Sequence, residues 1–184
     1  MMKLIRCPVF TLKFLGGILL FGMTGITLAL AAAKDVNLMD LKWEGDLSRV
    51  ADVEKIKNGD SAIRWDAGHQ PYSTALIKLS GEKGDLSDYT TLHFWAFSES
   101  ATGAAIVIQA VSPNTNEDGD YFLMGFEVKW KGWKEFNLPL DKFTNVRSPK
   151  GWDSITRLSF LGHFNTQPVP GTILYLSDIR LTID

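Results

Sequence analysis

From Ser61 to the end of the chain, apolar residues recur at every second position in short runs, and Gly, Asn, Asp, Ser or Pro residues close each run. A period of two sends successive side chains to opposite faces, so these runs specify strands and not helices. Ser61 to Asp66 sets Ile63 and Trp65 against Arg64 and Asp66, and Ser73 to Leu79 places Ala75, Ile77 and Leu79 together. Thr90 to Ser98 carries Leu92, Phe94 and Ala96 on one face and His93, Trp95 and Phe97 on the other. Ala104 to Val111 is apolar on both faces except for Gln109, the pattern of a central strand. Tyr121 to Trp130 sets Phe122, Met124, Phe126, Val128 and Trp130 against Tyr121, Leu123, Glu127 and Lys129. Lys131-Gly132 then reads as a tight turn that brings Trp133 to Leu138 back as a hairpin, ended by Pro139. Ile155 to Leu161 and Thr172 to Ile183 complete the set.

The text before Ser61 is less regular. Asp35 to Trp43 reads as a lead-in and a short strand, and Leu47 to Lys57 as an irregular connection or one helical turn, with Val50, Val53 and Ile56 three residues apart. Lys57-Asn58-Gly59-Asp60 is a turn by composition. Roughly eight to ten strands joined by polar loops, with no βαβ rhythm, specify an all-β antiparallel sandwich.

The first 33 residues follow a different grammar. Lys3, Arg6 and Lys13 precede the uncharged run Phe14 to Ala33, which ends in Ala31-Ala32-Ala33 before Lys34-Asp35. This is the layout of a secretory signal over residues 1–33, followed by one domain over 34–184, and it points to a periplasmic or secreted protein. At roughly 20 residues the run is also long enough to span a bilayer, so an uncleaved membrane anchor is the competing reading. The single cysteine, Cys7, lies within the signal, which leaves the domain without disulfides. The 19 basic and 21 acidic residues of the whole chain become more unequal once Lys3, Arg6 and Lys13 are lost, which argues against a nucleic-acid partner.

Three stretches carry a family resemblance: WKGWKEFNLPL from Trp130, FTNVRSPKGWDSI from Phe143, and LYLSDIRL from Leu174. They resemble the galactose-binding-like jelly-roll modules of bacterial polysaccharide lyases and glycoside hydrolases. GDSAIRW and DLSDYTTLHFWAFS are similar to earlier strands of that family, so the resemblance runs from Leu38 to Ile183. Similar C-terminal text occurs in the complex I intermediate-associated family, which implies a protein-interaction or assembly factor as the alternative. The first resemblance implies noncatalytic binding of a polysaccharide or oligosaccharide. It also implies one structural calcium ion tying the first strand region to the last, with Glu44 and Asp178 at the matching positions. Ser177 departs from the acidic pair expected there.

The residues themselves offer little for catalysis. His69, His93 and His163 lie in separate segments without ligand spacing. Glu127 and Asp120 make a hydrolytic carboxylate pair only if folding sets them across a cleft. A small lyase would have to gather His93, Tyr121, Lys129 and Arg157 on one sheet. Sugar binding needs aromatic platforms with polar neighbours. The preferred platforms are Trp95 and Tyr121, with His93 and Gln109 beside them and Trp65 as a further aromatic. Arg64, Lys129 and Arg157 are cations suited to an acidic glycan such as a uronate polymer.

Overall fold

A computed structural model describes residues 35–69, 71–116, 119–163 and 167–183, so the signal reading of residues 1–33 lies outside the described residues. Among the described residues, twelve strands form two sheets. Sheet A holds β3 (Leu47–Val50), β4 (Ala62–Asp66), β12 (Ile173–Thr182), β6 (Thr91–Ser98) and β9 (Gly132–Pro139) in that order, and β1 (Val36–Asn37) also pairs with β12. Sheet B runs β10 (Thr144–Val146), β8 (Tyr121–Glu127), β7 (Ala105–Val111), β11 (Arg157–Leu161), β5 (Thr74–Lys78) and β2 (Trp43–Gly45). Every pairing is antiparallel. The result is the expected jelly-roll β-sandwich. Among the described residues, no helix is long and apolar enough to cross a membrane.

The alternation places the core. Ile63 and Trp65 from β4, Leu92, Phe94 and Ala96 from β6, and Leu174 and Leu176 from β12 point inward from sheet A, all at 1% exposure or less. Ile106 and Ile108 from β7 and Phe160 from β11 meet them from sheet B, each fully buried. Phe160 lies edge-on to Phe94 at 5.3 Å and edge-on to Trp65 at 6.3 Å between ring centroids. One ring of sheet B therefore joins two of sheet A, and such pairs add about 0.5–1.5 kcal/mol each beyond their buried area.

The structure corrects two local expectations. Trp133 to Leu138 does not return as a hairpin on Tyr121 to Trp130: β8 pairs with β7 and β10 in sheet B, whereas β9 pairs along its whole length with β6 in sheet A. Residues 128–131 cross between the sheets, and Gly132, at φ +86°, lets the chain turn into β9. The stretch after Leu47 begins as strand β3, and the helical turn is confined to the 3-10 segment Val53–Lys55.

Candidate functional site

A sandwich offers a ligand two outer faces. On sheet B, three adjacent rows follow from the strand register. Val146, Tyr121, Val111, Arg157 and Lys78 form the first row. Thr144, Leu123, Gln109, Ser159, Leu76 and Glu44 form the second, and Gly125, Val107, Leu161 and Thr74 the third. In the middle of this face Val111 and Ser159 are 1% exposed although they fall in the outward phase, so their neighbours cover them, while Gln109 beside Ser159 is half-buried. Beyond the third row the phase continues, Gly162 N–H donating to Ser73 O at 2.9 Å and the rings of Tyr72 and His163 meeting at 5.1 Å. Tyr72 is 66% exposed. Tyr121 and Tyr72 thus stand at opposite corners, separated by about 20 Å along the strands and about 14 Å across them.

Tyr121 is fixed by its neighbour. Asp120, fully buried, accepts the backbone N–H groups of Asn116 at 2.6 Å, Thr115 at 2.7 Å, Ser148 at 3.1 Å and Asn114 at 3.3 Å. Burial raises its carboxyl pKa, but these donors outweigh burial and bring it down to about 2. One carboxylate therefore ties two loops to the start of β8.

The outer face of sheet A is richer in rings. Ser48, Arg64, Tyr175, Phe97 and Trp133 form one row across five strands, and Ser177, Trp95 and Glu135 form the next. Phe97 lies between Trp133 at 5.4 Å and Tyr175 at 6.0 Å. Tyr175 donates its hydroxyl to Glu99 at 2.8 Å, and burial followed by this carboxylate raises its pKa. The β3–β4 connection lies over these rings, with Lys55 Nζ 3.6 Å from the Phe97 ring centre and Lys57 Nζ 4.5 Å from that of Trp95. The connection leaves Trp95, Phe97 and Trp133 half-buried.

The residues singled out from the sequence therefore divide. Tyr121, Gln109 and Arg157 share the outer face of sheet B. Trp95, His93 and Arg64 belong to sheet A. His93 is buried, with Nδ1 2.6 Å from Asn137 Oδ1 and Nε2 3.4 Å from Asp178 Oδ2. Trp65 has no exposed surface and donates its indole N–H to Ser73 Oγ at 2.9 Å, so it is a core residue. Lys129, exposed in the crossing segment, pairs with Glu127. The lyase grouping of His93, Tyr121, Lys129 and Arg157 does not assemble, because His93 lies on the other sheet. Glu127 and Asp120 sit at opposite ends of β8, about 23 Å apart along the strand, and form no pair.

The two residues expected to hold calcium lie on different sheets. Glu44 is on sheet B, where Lys78 at 3.1 Å holds its carboxyl below the usual range and Lys42 lies at 3.6 Å. Asp178 is on the β12 bulge of sheet A, bonded to Arg180 and Asn58 at 2.7 Å each. The two carboxylates do not converge, and among the described residues no cluster of three or more His, Cys, Asp or Glu could hold a metal ion.

Tyr72 is absent from the candidates that the sequence offers, and His163 appears there only among histidines without ligand spacing. Tyr72 lies two residues before Thr74, in the same phase, but outside the strand expected from Ser73.

No protein-family model matches the sequence, and no curated protein matches it either. Among solved structures, the fold is similar to the family 30 carbohydrate-binding module of a cellulosomal cellulase of Clostridium thermocellum. The TM-score is 0.60 at 19% identity, covering 82% of this chain and 98% of that one. The family 11 carbohydrate-binding module of the same organism, in complex with a β-1,3-1,4-mixed-linked tetrasaccharide, gives 0.55 at 15% identity, covering 85% and 92%. The chain has the fold of these modules. This jelly roll also resembles part of an agarase, at TM-score 0.53 and 13% identity, where it covers 82% of this chain and 24% of that one.

Proposed function

We propose that this chain is an exported, noncatalytic carbohydrate-binding module that holds a polysaccharide across the outer face of sheet B. One observation carries the reading: Tyr121 and Tyr72 stand at opposite corners of an outer face that presents the half-buried Gln109 between them. Aromatic faces stack on the apolar C–H faces of sugar rings while adjacent polar groups meet the hydroxyls. Arg157 and Lys78 give one end of this face cationic character, which suits a uronate unit. A protein partner would need a broad apolar patch. Among the described residues only Val53, Tyr72 and Ile183 are large apolar side chains left exposed.

Affinity electrophoresis in gels containing neutral β-glucans or uronate polymers tests this directly. The protein is retarded in at least one gel, Tyr121→Ala and Tyr72→Ala each weaken the retardation, and Trp95→Ala, on the opposite face, leaves it intact. Unretarded migration in all of them rejects the reading.

A further inference from the structure

The connection between β3 and β4, residues 51–61, lies as a strap over the outer face of sheet A. Two ammonium groups seat it there. Lys55 Nζ sits 3.6 Å from the Phe97 ring centre and 5.3 Å from that of Tyr175, and Lys57 Nζ 4.5 Å from that of Trp95. Its other anchors are polar: Lys57 N–H donates to Ser177 Oγ at 3.1 Å, and Asn58 Nδ2 to Asp178 Oδ2 at 2.7 Å. The 3-10 turn Val53–Lys55 within the strap buries no residue, and Val53 at its start is 82% exposed.

Beneath the strap lies a surface with the chemistry of a cation receptor. Ring faces carry negative quadrupole potential and attract ammonium groups. Glu99, bonded to the Tyr175 hydroxyl, and Glu135, opposite Trp95 in the register, add carboxylates at the margin. Arg64, next to Tyr175 in its row, bounds the receptor on the β4 side. With the strap lifted, the rings and carboxylates would face solvent with no ammonium group in place.

We infer that this face is a second binding site, for a saccharide bearing free amino groups, and that Lys55 and Lys57 occupy it in cis until such a ligand displaces them. The site is distinct from the sheet B face and does not depend on it. The occupant is an amino-sugar oligomer because the two seated ammonium groups lie over Phe97 and Trp95, two residues apart and about 7 Å along β6, and mark repeated ammonium positions for an extended chain.

The test uses tryptophan fluorescence, reported by Trp95 and Trp133, with a fully deacetylated glucosamine hexamer as probe and its N-acetylated counterpart as control. Measurements are made in a Tyr72→Ala/Tyr121→Ala background, so that loss of the sheet B face cannot be confused with loss of this site. Lys55→Ala/Lys57→Ala tightens hexamer binding about tenfold, the worth of two exposed cation–π contacts. Adding Phe97→Leu, which keeps apolar volume but removes a ring, reverses the gain. Lys83→Ala/Lys150→Ala, which changes net charge equally elsewhere, leaves the affinity unchanged. The proposal is overturned if that control tightens binding as much, if the acetylated hexamer binds equally, or if polylysine competes as well as the hexamer, which would make the partner a protein.

Discussion

Asp120 holds two loops at the start of β8 through one buried carboxylate. Its carboxylate accepts four backbone N–H groups from two loops, an arrangement that works only while it is ionised. Its folded pKa, about 2, lies below that of an unfolded aspartate, so the stability it contributes is present at neutral pH and is lost as pH falls through the folded value. Asp120→Asn should lower the Tm by several degrees at neutral pH, and the gap to the parent should close in melts taken towards pH 2. Tyr121 follows Asp120 directly, so the same substitution should also weaken glycan retardation. Tyr121→Ala alone should weaken binding about tenfold with no loss of Tm, since this partly exposed ring is not among the buried core residues.

At the scale of elements, the outer face of sheet B depends on how β11 leaves the sheet. Gly162 sits between Leu161 and His163, and a Cβ there would stand 2.0 Å from the carbonyl oxygen of Ala67. Backbone cannot yield that distance cheaply. Gly162→Ala should cost about 2 kcal/mol or more in urea denaturation and should misplace His163 against Tyr72. The β8–β9 segment shows how far local grammar reaches. Its alternation set Phe122, Met124, Phe126, Val128 and Trp130 together, and all five pack in or against the core, although Val128 and Trp130 lie beyond the end of β8. Lys131-Gly132 has the composition of a hairpin turn, yet the chain uses it to change sheets, because β6 offers β9 an eight-residue register. Turn composition permits a reversal but does not choose the strand that receives it.

For the whole molecule, stability rests on rings shared between the sheets. Trp65 and Phe94 from sheet A meet Phe160 from sheet B, and all three are fully buried. Trp65→Ala should therefore cost about 3–5 kcal/mol, read as a fall in the urea midpoint at unchanged m. That outcome would show Trp65 holding the core, where the sequence offered it as a sugar platform. The sequence alone determined the class of fold, because period-two alternation assigns each side chain to one side of its own strand, and the residues that share a face on β4, β5 and β6 were legible from it. It also supplied Tyr121, Gln109 and Arg157, which do share a face. It did not separate them from Trp95, His93 and Arg64, nor join Tyr72 and His163 to them. Alternation is a property of one strand, whereas the sheet that a strand joins is decided by pairing with residues far away in the chain. Only the tertiary structure determined which polar faces belong together, and which of them the strap covers.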